Sequence, residues 1–530
     1  MADGRATDTP RVAGVRLAEV VATLSLATDL GSAQPMEHAL RTCALAVRLG
    51  DGLGLSRDDL ARTYYLALLR MVGCTADAHV AAAVLGDELA ARAWLVRTDQ
   101  GSPAHVLAAL LRHLGEGNPP LRRARMVASA LAGMPRLVAL GASHCEVAQR
   151  LAARLGFGTV LQAALAQVFE RWDGRGVPRG LKREQLVVPV RVVQLAQDAV
   201  VYDRLSGPEA AVAMARRRAG GAYDPAVVER FCRDAADLLC QLGRGSAWET
   251  ALALEPGDRA VLSEQGVDAA VEAMADFADL KSPYTVGHSR GVAGLVADAA
   301  TRGRLPAADA VALRRAGLLH DLGRVGVSSA VWGKAGPLTD GEWERVRLHP
   351  YFTERVLSRS GAFAPLAAVA ALHHERLDGS GYHRGAPAAQ QPAAARILAA
   401  ADVYQALSEP RPHRPARPPE AAADELRREV RAGRLDGAAV DGVLAAAGHR
   451  VSRRRRGWPA GLSRREIEVL RLVARGLSDA QIAERFSVSK STVHHHVQHV
   501  YDKIGASTRA AATLFAMQHD LMDAAATVGE

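Results

Sequence analysis

The 530 residues are enough for three domains of ordinary size, and 49% are hydrophobic but only 4% aromatic, a balance that favours helix over sheet. A formal net charge of +9 permits an anionic partner without naming one. No uninterrupted run of eighteen apolar residues occurs and the first thirty carry no signal-peptide pattern, so the expectation is a cytoplasmic protein with no membrane partner.

Five cysteines (Cys43, Cys74, Cys145, Cys232, Cys240) lie in the first half without metal-binding spacing, and are expected to be buried thiols. From about residue 12 to 245 the chain carries EHALRTCALAVRLG with His38, then LLRMVGCT with Arg70 and Met71, and later FERWDGRGVPRGLK from Phe169 to Lys182. Between them, near Asp87–Leu121, lies a segment of helical spacing that GEGNPP ends; its purpose is not legible in the sequence.

Residues 262–450 repeat this layout with chemistry added. HHERLDGSGYHRG runs from His373 to Gly385, with His288, the pair His320-Asp321 and His349 upstream and Asp402 downstream. One histidine is more often a core or surface residue than a ligand; seven imidazole and carboxylate groups in one stretch can hold two divalent cations. That ligand mixture suits Fe, Mn, Zn or Co, and a bridging carboxylate can hold two such ions about 3.5–4 Å apart, placed to activate a water and clamp a phosphate. Glu375 either orients His374 or is solvated.

The motifs SPYTVGHSRGVA from Ser282, LLHDLGRVGV from Leu318, KAGPLTDGEW, LHP with His349, and ILAAADVYQAL leading into SEPRPHR occur in order across this region. Together they resemble the HD-GYP family of metal-dependent phosphodiesterases, best known for opening cyclic di-GMP. The resemblance implies His288, His320, Asp321, His349, His373, His374 and Asp402 as metal ligands, with Asp321 the bridge. It further implies two transition-metal ions, Fe or Mn foremost, and a cyclic dinucleotide or other phosphorylated nucleotide as substrate. Tyr284 stands where members with a third metal have Glu, which favours two. Two departures are plain: Arg324 replaces the family's Lys, keeping the charge but unable to give up a proton, and Gly381-Tyr382-His383 replaces Gly-Tyr-Pro. Asp321 and Arg324 are the expected catalytic residues, and Arg324, Tyr382, Arg411 and Arg414 the expected substrate contacts. A non-catalytic nucleotide sensor and a hydrolase of another phosphate ester are the alternatives.

Against this copy the first one looks worn. Asp173, Gly174 and Gly176 align with Asp378, Gly379 and Gly381, and His38 with His288. Arg70-Met71 stand for His320-Asp321, Val168-Phe169 for His373-His374, and Gln197 for Asp402. With only His38 retained, the first copy is expected to bind no metal pair and to serve as scaffold and regulatory module.

A basic linker at 451–460, with Arg453–Arg456, leads to residues 461–526. Ser463 followed by Glu466 reads as a capping box, Gly476 as a helix end, and Ser478 as the next cap. A helix is expected over Lys490–Ile504, with Val493, Val497 and Val500 inward. Leu462–Ala516 resembles the LuxR-type helix-turn-helix. That implies DNA as a partner, with Thr492 on the exposed side and His494, His495 and Gln498 at base edges. Arg464, Arg465, Lys490 and Lys503 would meet phosphates, His496 would be structural, and a homodimer would read two half-sites. Histidines 494–496 point about 100° apart on a helix and cannot share one ion. The expected fold is all-α: two tandem HD-type helical domains and a small helix-turn-helix bundle.

Overall fold

A computed structural model describes residues 14–448, 458–519, 521 and 522; the Arg453–Arg456 run lies outside them. The described residues form helices joined by turns, with no strand and only isolated bridges. The fold class is therefore all-α.

The two copies match at the level of backbone. Gly174 and Gly379 take φ +80° and +78°, a region that favours glycine. A Cβ on Gly176 or Gly381 would lie 2.4 Å from the Cα of Glu170 or Glu375. Both glutamates clamp the following loop: Glu170 accepts the N–H groups of Arg179 and Leu181, and Glu375 those of Arg384 and Ala386. Glu375 is thus neither solvated nor a partner of His374; its carboxylate organises the loop that carries Tyr382.

The copies are fused rather than strung together. Each begins with a long helix, Leu17–Gly31 or Glu264–Asp279. The first is buried almost all round because it lies against the Leu322–Gly326 turn and the His349–Leu357 helix of the second copy. One apolar core runs through both. A buried ion pair, Lys281 Nζ to Glu88 Oε1 at 2.8 Å, crosses the junction, and the Glu88 carboxylate also accepts from Ser328 Oγ and Ser329 N. The first copy's packing continues past 245, since the Ala247–Ala253 helix lies on the His38–Gly52 helix.

The segment near Asp87–Leu121 forms the helices Glu88–Leu95 and Pro103–His113, packed beside Ala78–Leu85, and leads into the long Pro120–Arg154 helix. It has its own small core of Leu85, Ala91, Leu110, Leu114, Val127 and Ala130. An 18-residue stretch of Pro120–Arg154, with mean hydropathy 1.3, is apolar enough by length and composition to cross a membrane. Requiring an unbroken apolar run misses it, because Arg136 interrupts the run. Its C-terminal part is tied into the protein, where Cys145, Val147 and Leu151 join the shared core. Cys43, Cys74 and Cys145 are buried as expected, but Cys232 is half-buried and Cys240 exposed, on the outer face of the Pro225–Leu242 helix.

The tail folds as the helices Arg464–Ala474, Asp479–Phe486, Lys490–Ile504 and Arg509–Gln518 around a separate core. Ser463 with Glu466 and Ser478 with Gln481 form reciprocal capping boxes, which explains both helix starts. The bundle docks on the rest of the chain. Ser507 N donates to Glu146 at 2.9 Å, and Met522 lies against Gly287, the residue before His288. Gly476 lies against Pro283.

Candidate metal centre and DNA-reading surface

Helix ends bring the seven candidate ligands together. His288 opens one helix, His320 and Asp321 close another, and His349 opens a third. His373 and His374 follow the Ala364–Ala370 helix, and Asp402 lies within Ala393–Ser408. Their ligand atoms form two groups, Asp321-His349-His373-His374 and His288-His320-Asp321, each within 4.8 Å and sharing Asp321. Asp402 joins both: its Oδ1 lies 3.2 Å from His288 Nε2, and its Oδ2 lies 3.5 Å from His374 Nδ1.

Main-chain carbonyls orient the rings. The Nδ1 atoms of His320, His349 and His373 donate to Gly317, Val346 and Ala370 at 2.7, 2.6 and 2.6 Å, which turns each Nε2 inward, as a lone pair wherever the ring is neutral. His349 Nε2 and His373 Nε2 then face each other at 3.1 Å. Two acceptors at that distance repel unless a cation lies between them. His320 Nε2 and Asp321 Oδ1 are also buried without a hydrogen-bond partner. Divalent ions sharing Asp321 would satisfy all of these atoms, so the residues present fit a two-ion centre.

At four of the seven ligands the charges agree with that fit, while against burial the surrounding carboxylates raise His288 and His320. Burial raises Asp321 and Asp402, but the Arg324 guanidinium and His320 beside the first, and His288 and His320 beside the second, hold both well below the usual carboxylate range. Burial lowers His373 and His374, leaving neutral imidazoles. Burial also opposes charge on His288, but Glu409 and Asp402 outweigh it and raise its pKa to about 10.

Arg324 Nη1 donates to Asp321 Oδ2 at 2.8 Å, and its guanidinium lies 4.0 Å from the Trp332 ring centroid. The Tyr382 ring sits 4.7 Å from that of His374, at the mouth of the centre. Arg411 donates to Glu409 Oε2 and Tyr284 O, both at 3.0 Å. Arg414, expected on substrate phosphate, instead places its guanidinium on the carbonyls of Ala406, Leu407 and Glu409, where it caps a helix C-terminus.

Sequence reasoning missed Glu409, which accepts from His288 Nδ1 at 2.9 Å and from Gln405 and Arg411. It also missed His144. That residue precedes Val168 by the same 24 residues that separate His349 from His373. Both histidines press their carbonyl on a glycine: a Cβ on Gly73 or Gly323 would lie 1.9 or 2.1 Å from it. The first copy therefore keeps two of the seven ligand positions, not one.

In the tail, Val493, Val497 and Val500 are buried and His496 half-buried, while Lys490, Thr492, His494, His495 and Gln498 are exposed along the outer side of their helix. The expected phosphate contacts are partly engaged within the bundle. Lys503 Nζ pairs with Glu466 at 2.8 Å, Arg464 and Arg465 pair with Glu468 at 3.4 and 3.0 Å, and Arg465 also covers Phe486.

Comparison with known proteins decides the family. Residues 272–439 match the HD domain, and residues 460–516 match the bacterial regulatory proteins of the luxR family. A 3′3′-cGAMP-specific phosphodiesterase of Vibrio cholerae is 31% identical over 407 residues, 76% of this chain and 88% of that protein. This chain belongs to the HD-GYP family of phosphodiesterases. Another relative, a cyclic di-GMP phosphodiesterase of Pseudomonas aeruginosa, is 38% identical over 25% of this chain and 32% of its own length. The crystal structure of a cyclic GMP-AMP specific phosphodiesterase from V. cholerae superposes with a TM-score of 0.58 at 26% identity, covering 82% of this chain and 99% of that one. The LuxR-family domain makes this HD-GYP protein a DNA-binding one.

Proposed function

We propose that the second copy opens a 3′3′-linked cyclic dinucleotide, such as 3′3′-cGAMP or cyclic di-GMP, to its linear form, and that the protein couples this site to transcription. The observation that carries the reading is the pair of lone-pair nitrogens of His349 and His373 facing each other beside the unpartnered Asp321 Oδ1. His288, His320, Asp321, His349, His373, His374 and Asp402 would hold two divalent ions, Fe or Mn, with Asp321 between them. When bound, such ions supply Lewis acidity to the phosphodiester and lower the pKa of the attacking water. Arg324 and Arg411 place fixed positive charge for the substrate phosphates, and Tyr382 offers a ring face at the mouth. Arg324 is held protonated by Asp321, so its role is charge and not proton donation. The chemical identities of the relatives' substrates favour a cyclic dinucleotide over other phosphate esters.

Nucleotide sensing at the same centre is the second reading, favoured by the docking of the tail on Pro283 and Gly287 beside His288. In either case His494, His495 and Gln498 would read base edges, Arg464, Arg465, Lys490 and Lys503 would meet phosphates, and the protein would act in the cytoplasm. Two copies would read two half-sites. The stripe Leu121, Ala124, Ala128, Leu131, Pro135 and Val138 is exposed at alternating three- and four-residue spacing on the helix that also carries the tail, and a second copy of this chain fits it.

Metal content of the purified full chain tests the centre. Two transition-metal ions per chain are expected, and none in Asp321→Ala, because a bridging carboxylate serves both. Full occupancy in Asp321→Ala would refute the assignment.

A further inference from the structure

A cavity of about 450 Å³ occupies the first copy where the second has its metal centre. His38, Arg70, Met71, Phe169 and Gln197, all at former ligand positions, line its floor. The helices without a counterpart form its roof, with Trp94, Leu95, Val106, Leu110 and Leu137. The segment whose purpose is illegible in the sequence is thus a cover over a vestigial centre.

The floor is prepared for negative charge. Arg70 stands at the His320 position, and its buried Nε has no hydrogen-bond partner. No carboxylate among the described residues forms an ion pair with it, although the floor and walls carry several. Asp198 is held by Arg218 and Tyr223, Glu170 by two main-chain N–H groups, and Asp29 by the N–H of Ala39. Burial raises Asp29 well above the usual range, so it adds no stable counter-charge. His38 is 6% exposed, and neither of its ring nitrogens has a partner. Burial and the nearby Arg204, Arg70 and Arg41 hold it neutral, with a pKa down to about 3. Burial lowers Arg70 from the usual guanidinium range and Asp198 opposes this only in part, so a guanidinium without an ion pair under an apolar cover leaves a charge to be met.

We infer that this cavity is a binding site for a small amphipathic anion, a carboxylate or phosphate monoester on an apolar or aromatic body, with Arg70 gripping the anionic end and the Trp94–Leu110 roof covering the rest. The size suits one such molecule. One metal-binding half has become a metal-free receptor half, in which a fixed guanidinium replaces the cations. The neighbouring Glu88 ties the roof to Lys281, Ser328 and Ser329 of the second copy, so occupancy of the cavity is linked mechanically to the catalytic half.

Titration calorimetry on the full metal-loaded chain tests this with 3-phenylpropionate and phenyl phosphate as probes and 3-phenylpropan-1-ol as the neutral control. At least one anion should bind at one site per chain and the alcohol at least tenfold more weakly. Arg70→Gln should weaken the anion tenfold or more, Val106→Trp should block it by filling the roof, and Asp321→Ala should leave it unchanged. No binding of either anion at millimolar concentration would overturn the inference. So would equal affinity for the alcohol, retention in Val106→Trp, or loss in Asp321→Ala; the last would move the site to the metal centre. Val106→Trp keeps the test decisive if Arg70→Gln does not fold.

Discussion

At the scale of single residues, chemistry was legible where the sequence concentrates rare groups. Six of the seven imidazoles and carboxylates lie at or near a helix end and Asp402 lies within a helix, so a few ordered motifs are enough to find them. Glu409 was not legible, because one glutamate after a helix has many uses and only the fold brings it 2.9 Å from His288 Nδ1. Its role gives a test. Glu409→Gln removes the charge that fixes the His288 ring, and metal affinity should fall roughly 10- to 100-fold, as for other groups that orient metal-binding histidines. Competition with a chelator measures it, and unchanged retention would show that His288 needs no such support. Arg414 teaches the opposite lesson: a basic residue in the right motif can be consumed by carbonyls at a helix terminus.

At the scale of elements, caps were the clearest signals. Ser463-Glu466 and Ser478 start helices where the spacing predicts, because a short side chain can satisfy the free N–H groups of a first turn. The partners of those caps were not legible, since Lys503 reaches Glu466 from 37 residues away. Burial raises the Glu466 carboxyl, but Lys503 and the Ser463 N–H and hydroxyl overcome it and hold the pKa at about 2. A carboxyl depressed in the folded state stabilises it above the unfolded pKa, near 4.5, and that stability is lost as pH falls toward 2. Protection of the Arg464–Ala474 amides in the full chain, taken relative to their intrinsic exchange rate at each pH, should therefore fall over this window, and Glu466→Gln should flatten the dependence. An equal pH response in the variant would assign it to another group. The helices Glu88–Leu95 and Pro103–His113 were readable as helices and nothing more, because their purpose lies in what they cover.

At the scale of the whole molecule, the repeat was legible but the fusion was not. Motif spacing identifies two copies; it cannot say that Leu17–Gly31 packs into the second or that Glu88 and Lys281 pair across the junction. The stripe around Leu131, itself 44% exposed, is where we propose that a second copy docks. Leu131→Glu should convert a dimer to a monomer in sedimentation and weaken binding to paired DNA half-sites, with metal content unchanged; a dimer that survives would move the interface elsewhere. If the second copy opens cyclic dinucleotides, chromatography of 3′3′-cGAMP and cyclic di-GMP incubated with the Mn- or Fe-loaded full chain will show it. Conversion of at least one to its linear dinucleotide, abolished in Asp321→Ala, is the predicted result. Two ions per chain with neither substrate opened would contradict it.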